Sequence, residues 1–152
     1  MMRLKRLGVM ACLLCSPLSV MADAQREIPL CCQGDNRVFL AFGEREGIQQ
    51  VMQVFMRKLM ADERMRPFFQ DSDRAKLVEH LTDQLCVVMG GGCQYQGRTM
   101  AESHQGQVIK REHFNALVAH LQSAMDERQI PTQAQHKVLA VLAPMYRQLE
   151  TQ

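Results

Sequence analysis

Helical periodicity dominates the sequence from residue 48 onwards and marks four apolar segments. The first has apolar residues at three- and four-residue spacing: Ile48, Val51, Met52, Phe55 and Leu59. The second covers about residues 74–89 and repeats in the same way: Leu77, Leu81, Leu85 and Val88. The third is marked by Phe114, Leu117, Val118, Leu121 and Met125. The fourth, residues 138–149, is apolar on most sides, which predicts a central and buried helix.

Helix-breaking residues separate these segments. The stretch 62–67 ends in a proline, and Gly90-Gly91-Gly92 is expected to end the second helix. Residues 98–105 form a short piece between the second and third helices, and Pro144 is expected to kink the fourth. The sequence has no alternating strand pattern and no internal repeat, so it predicts an all-α fold.

A different pattern covers the first 24 residues. Three basic residues within positions 1–6 precede an apolar run over 7–14, and small residues follow. This order is typical of a secretory signal peptide covering residues 1–22, with a cut after Ala22 or after Ala24. A buried N-terminal helix and an uncleaved anchor are the alternatives.

Cleavage would leave a polar, irregular extension over residues 23–37 and one domain over residues 38–152. The expected location is outside the cytoplasm, in the periplasm, with no membrane attachment after cleavage. The whole chain has a formal charge of +2, and the part after the leader has 15 basic against 16 acidic residues. This balance gives no reason to expect a nucleic-acid partner.

Six cysteines bear on the redox compartment. Cys12 and Cys15 have the spacing of a redox motif but lie inside the apolar run of the leader. Cys31 and Cys32 are adjacent, and neighbours rarely form a disulfide with each other. A disulfide between Cys93 and either Cys31 or Cys32 is possible, and the sequence does not decide between these pairings. The remaining cysteine, Cys86, lies in a helical segment and is predicted to be a small buried side chain.

Several short motifs follow one another at characteristic spacing. They are Phe42–Ile48, Phe55–Asp62, Pro67-Phe68-Phe69, Gly90-Gly91, and the series Tyr95, Gly97, Met100 and His104. In this order they make the sequence from about Phe39 to Gln148 similar to truncated globins of the first group. The resemblance implies a truncated globin fold, a helical sandwich around a haem. It also implies that His104 is the proximal iron ligand and that Phe69 packs on the haem.

The residues around His104 agree with that role. Met100 precedes His104 by four residues, so the two share one face of a short helix and Met100 is expected to cover the ring. Tyr95 lies on the segment that leads to them. Some relatives bond a late histidine covalently to the haem, but the matching region, Pro144–Arg147, contains none. The expected cofactor is therefore noncovalent haem b.

The distal side departs from the family pattern. Many relatives carry a Tyr at the position of Met56 and Gln at one or both positions of Leu77 and Leu81, and these donate hydrogen bonds to bound oxygen. His80 is the polar residue left on that face. It matches a position where some relatives bind the iron from the distal side, and the alternatives are a contact at the haem edge or no role at the haem.

The expected function is reversible binding of oxygen or another diatomic gas, as in oxygen binding or transport. The main alternative is an exported redox or sensor haem protein with two His ligands, which would need an electron-donor protein. A nitric oxide dioxygenase is the enzymatic alternative, but a pocket poor in donors supports that chemistry badly. The last alternative is a helical module that binds no haem.

Overall fold

The computed structural model describes the backbone of residues 35–149 and the side chains of residues 35–147. The predicted signal peptide, the extension up to residue 34, and four of the cysteines (Cys12, Cys15, Cys31 and Cys32) lie outside the described residues. Within residues 35–149 the regular elements are helices, and no strand occurs. The predicted all-α fold is confirmed.

The helices follow one another as α1 (Arg37–Ala41), α2 (Glu44–Ala61), α3 (Arg74–Val88), α4 (Met100–His104), α5 (Arg111–Glu127), α6 (Thr132–Leu142) and α7 (Tyr146–Leu149). Two 3₁₀ turns, Arg66–Phe68 and Ala143–Met145, complete the series. None of the described helices is long and apolar enough to cross a lipid bilayer.

Helix α2 is the centre of the fold. It packs against α3 on one side and against α5 on another, and those two contacts are the most extensive between elements. Its buried side chains follow the predicted helical spacing: Ile48, Val51, Met52, Val54, Phe55, Met56 and Leu59. Burial of each large side chain of this kind contributes about 1.5–3 kcal/mol. This helix therefore supplies much of the core that holds α3 and α5 in place.

Asp62 ends α2 and ties it to α5. Its carboxylate accepts hydrogen bonds from the Arg64 backbone N–H at 2.9 Å and from the Arg64 guanidinium, and it lies 2.8 Å from Nε2 of His120 on α5. Hydrogen bonding by Arg64 first, and by His120 second, holds the pKa of Asp62 well below its usual range. The charged form of Asp62 thus joins the turn after α2 to the helix beside it.

The last predicted helix differs from the observed one. Instead of one helix over residues 138–149, α6 covers Thr132–Leu142, and a 3₁₀ turn at Pro144 separates it from α7. The early start has no apolar signature because residues 132–137 are mostly polar. The predicted burial is correct for Val138 but not for the exposed Ala140, because α6 covers the core with one face only.

Cys86 and Cys93 form a disulfide. The prediction that Cys86 is buried is correct, since its relative exposure is 0%. It is not merely a packed side chain, however, and the open pairing of Cys93 with Cys31 or Cys32 is replaced by this bond. The two residues are seven positions apart, with the glycine run between them. The left-handed φ of 74° at Gly90 starts the turn that brings Cys93 back to the last turn of α3.

Removing this disulfide should destabilise the domain by about 2–3 kcal/mol, because it closes a short loop in the unfolded chain. The measurement is the denaturant midpoint of the double variant Cys86→Ala/Cys93→Ala against the unmodified protein. A dithiol reductant should lower the stability of the unmodified protein and leave the variant unchanged. Equal midpoints for the oxidised protein and the variant would show that the disulfide contributes nothing to stability.

Candidate functional site

Helix α4 presents His104, and its local sequence explains where it begins. The hydroxyl of Thr99 accepts a hydrogen bond from the Glu102 backbone N–H at 3.2 Å, and the Glu102 carboxylate accepts one from the Thr99 backbone N–H at 2.9 Å. This reciprocal pair is a capping box, which satisfies two backbone donors at the start of a helix. It is valuable here because a helix of five residues has little stability of its own.

The imidazole of His104 is oriented by its own helix. Nδ1 of His104 lies 2.7 Å from the carbonyl oxygen of Met100, one turn earlier. A carbonyl only accepts, so Nδ1 carries a proton and donates, which in the neutral ring leaves the lone pair on Nε2. The ring is half-buried. A neutral imidazole held by one nitrogen, with the other free, is the arrangement of a histidine that binds a metal.

Helix α3 carries two apolar stripes with different surroundings. Val78, Leu85 and Met89 belong to the stripe that is buried in the core, where Thr82 joins them by donating its hydroxyl to the Val78 carbonyl at 2.7 Å. Leu77 and Leu81 lie beside that stripe and stay half-buried. These two leucines touch the core on one side and leave apolar surface open on the other.

Other elements leave apolar surface open in the same way. Phe69, after the first 3₁₀ turn, and Leu117 on α5 both pack against the core and remain half-buried, and Met100 on α4 is half-buried too. Helices α3 and α5 each pack extensively on α2, but no contact of that extent joins them to each other. Incompletely covered apolar side chains on several elements fit a flat apolar cofactor with one coordinating imidazole, which is the chemistry of haem.

Four of the predicted residues belong to the main hydrophobic core of the domain: Met56, Phe69, Leu77 and Leu81. Tyr95 packs with Val88 in a separate small cluster, and Met100 belongs to neither. Met56 is 5% exposed and has no hydrogen-bond donor. The nearby hydroxyl of Thr82 is already used by the backbone of its own helix. The side chains of Met56, Leu77 and Leu81 therefore offer no hydrogen-bond donor, and their place on the distal side of a haem stays a prediction.

His80 lies against Tyr95, the residue predicted to lead to the proximal segment. Their ring centroids are 6.3 Å apart and the rings meet edge-on at 74°. Tyr95 is buried beside Val88, and its hydroxyl donates a hydrogen bond to the Arg98 carbonyl at 2.8 Å. Burial, and after it the charge of Glu102, raises the pKa of Tyr95, so the hydroxyl stays protonated and keeps this bond.

Two of these features were not predicted from the sequence. The capping box was detectable, since Thr99 and Glu102 stand at the required spacing. The contact between His80 and Tyr95 had no local signal, because it depends on how the loop after α3 folds back. No group of three or more His, Cys, Asp or Glu side chains in the described part of the chain could hold a metal ion.

An all-α fold with an oriented histidine and half-buried apolar side chains on several elements fits one class of protein, a haem-binding globin. Comparison with known proteins confirms this class. Residues 37–151 match the family described as Bacterial-like globin. The chain belongs to this family, among the group 1 truncated haemoglobins.

Individual relatives support the same assignment. A group 1 truncated haemoglobin of Synechocystis sp. is 30% identical over 110 residues, covering 69% of this chain and 89% of the relative. One from Tetrahymena pyriformis is 29% identical over 90 residues, covering 59% of this chain and 74% of that protein. The crystal structure of the Tetrahymena pyriformis truncated haemoglobin in its Fe(III) form superposes with a TM-score of 0.70. It is 24% identical and covers 74% of this chain and 96% of that one.

Proposed function

We propose that this globin holds haem b noncovalently through His104 and reversibly binds oxygen or another diatomic gas. The observation that carries the proposal is the hydrogen bond of 2.7 Å between Nδ1 of His104 and the Met100 carbonyl. It holds the imidazole in place and leaves the lone pair of Nε2 free to coordinate the iron. A hydrogen bond to the other ring nitrogen also makes a histidine ligand more basic, which strengthens its bond to a metal.

The haem iron would supply the binding position for the gas. Phe69, Leu77 and Leu81 would contact the faces of the ring and exclude water from it, because their open surfaces are apolar. Met56 would line the distal side without stabilising a charged ligand by hydrogen bonding. The gas would thus be held mainly by its bond to the iron and by apolar contacts, without a hydrogen bond from these side chains.

A second function has support from His80. This residue is half-buried on α3, three residues after the half-buried Leu77 and so on the same side of the helix. Movement of its side chain would bring an imidazole to the distal side. Two histidine ligands would suit a redox or sensor protein served by an electron-donor protein. A nitric oxide dioxygenase is less well supported, because the residues at Met56, Leu77 and Leu81 offer no donor to activated oxygen.

The test of the main proposal is the absorption spectrum of the purified protein, ferric and ferrous, with and without carbon monoxide. A haem protein with an open or exchangeable position should show an intense Soret band that shifts when carbon monoxide is added to the ferrous form. A protein that purifies with haem but shows no shift would contradict gas binding. A protein that takes up no haem on reconstitution would contradict the whole proposal.

Replacement of His80 separates the two functions. If His80 binds the iron, the ferrous protein should be six-coordinate, and the rate of carbon monoxide binding should level off at high concentration. His80→Leu should then give five-coordinate ferrous iron and a rate that rises linearly. The exposed His136 on α6 provides a matched control, since His136→Leu should leave both measurements unchanged. Five-coordinate iron in the unmodified protein would leave gas binding as the function and exclude a second histidine ligand.

We also propose that the protein is exported after cleavage near Ala22 or Ala24. The disulfide between Cys86 and Cys93 supports this, because such bonds persist mainly in oxidising compartments. Mass spectrometry of the protein from a periplasmic fraction should show a mass that lacks the first 22 or 24 residues. An intact first residue, recovered in a cytoplasmic fraction, would refute both export and cleavage.

A further inference from the structure

The loop between α3 and α4 makes an aromatic contact with α3, between Tyr95 and His80. The disulfide at Cys93 holds the start of this loop against the last turn of α3. Two residues later Tyr95 is buried against Val88 of the same helix. The loop therefore folds back along α3, in the direction of His80.

Tyr95 is held in place from several directions. Its hydroxyl donates to the Arg98 carbonyl at 2.8 Å, so the end of the side chain is anchored as well as the ring. Gly97 leaves room for that anchor, because a Cβ atom at this position would lie 2.3 Å from the Tyr95 hydroxyl oxygen. With the disulfide on its other side, Tyr95 has a fixed position from which to contact α3.

The His80 ring rests against this fixed tyrosine. A centroid distance of 6.3 Å and an angle of 74° are within the geometry of favourable edge-to-face aromatic contacts. We propose that Tyr95 is a positioning residue that holds His80 away from the iron and so keeps the sixth position open to gas. This inference rests on the proposed function, in which haem is bound between α3 and α4.

His80 then has two competing positions, one on Tyr95 and one on the iron. Contacts between aromatic rings of this kind shift such an equilibrium by about two- to tenfold. Weakening the contact should favour the iron-bound position, and strengthening it should favour the open site. Tyr95 acts through His80 and does not itself touch the gas.

The test compares Tyr95→Leu, which removes the ring, with Tyr95→Phe, which keeps the ring and loses only the hydroxyl anchor. Tyr95→Leu should increase the ratio of six-coordinate, low-spin to five-coordinate ferrous protein by about two- to tenfold. Carbon monoxide binding at low concentration should become slower in proportion to the loss of the five-coordinate fraction. Tyr95→Phe should stay close to the unmodified protein. Gly97→Ala should resemble Tyr95→Leu, because the added methyl group displaces the tyrosine without removing it.

A double variant shows whether the effect passes through His80. In the His80→Leu background, Tyr95→Leu should change neither coordination nor rate. An equal effect in both backgrounds would overturn the proposal, since Tyr95 would then act on the haem pocket in general. Haem content and thermal melting, measured for every variant, identify any that fail to fold, and Gly97→Ala keeps the test available if Tyr95→Leu is one of them.

One further measurement detects the contact between His80 and Tyr95 directly and does not require His80 to bind the iron. With carbon monoxide on the ferrous iron, His80 has to be in its other position, so NMR should show contacts between the His80 and Tyr95 ring protons. Absence of these contacts would overturn the proposal, as would a ferrous iron that is five-coordinate in both the unmodified protein and Tyr95→Leu. A normal haem spectrum with no effect of Tyr95→Leu would refute this inference alone, whereas failure to bind haem would refute the proposed function as well.

Discussion

Replacement of His104 with alanine is expected to abolish stable haem retention. The side chain offers a free Nε2 because its Nδ1 is engaged by the Met100 carbonyl at 2.7 Å, and alanine offers no ligand at all. Loss of partners that only support a metal ligand costs about 10–100-fold in affinity, so loss of the ligand itself should cost more than about 100-fold. The measurements are the haem-to-protein ratio after purification and the rate of haem transfer to a scavenging apoprotein.

Two further variants sharpen this experiment. His136→Ala changes an exposed histidine on α6 and should retain haem as the unmodified protein does. His104→Gly leaves space for a free ligand, so added imidazole should restore haem binding and a histidine-type spectrum. An unchanged haem content and spectrum in His104→Ala would exclude this residue as the proximal ligand.

The second large effect is expected at Met56. Replacement with tyrosine introduces a hydroxyl that could donate a hydrogen bond to bound oxygen, which carries partial negative charge. Such a bond contributes about 1.5–3 kcal/mol. Oxygen should therefore be released about 10–100 times more slowly, since about 1.4 kcal/mol corresponds to a factor of ten. Stopped-flow displacement of oxygen by carbon monoxide measures this rate.

The control for Met56 has to separate the hydroxyl from the ring. Met56 is 5% exposed in the core, so a larger side chain costs about 1–3 kcal/mol of stability through overpacking. Met56→Phe imposes the same crowding without a donor and should release oxygen nearly as fast as the unmodified protein. If the unmodified protein already releases oxygen as slowly as Met56→Tyr, another donor reaches the ligand and the distal side is not poor in donors.

Much of the fold could be predicted because the long helices have one clear buried face. Helices α2, α3 and α5 agree with the apolar periodicity within a few residues. Helix α1 was missed because its five residues are too few to show a period. The start of α6 was missed because residues 132–137 are mostly polar, although Ala134 and Gln135 are buried there, so only its later residues signalled a helix.

The sequence indicated individual residues of the candidate site, but not how their side chains are arranged relative to one another. The motif around His104 indicated a ligand, and the structure adds the hydrogen bond that orients the ring. Leu77, Leu81 and Met56 were assigned to the distal side, and they do belong to one apolar cluster. The neighbour of His80 could not be predicted, because Tyr95 is fifteen residues away and joined by an irregular loop.

By itself the sequence determined the all-α architecture, the positions of the long helices and the family, because these depend on local periodicity and on the order of short motifs. The tertiary structure decided which cysteine pairs with Cys93, which nitrogen of His104 is left free and where the His80 ring rests. Each of these depends on distances of a few ångströms between groups. For Cys93 and His80 these distances are set only when the loop after α3 turns at Gly90 and packs back on the helix. For His104 the distance is set within its own helix, by the rotamer that brings Nδ1 to the Met100 carbonyl.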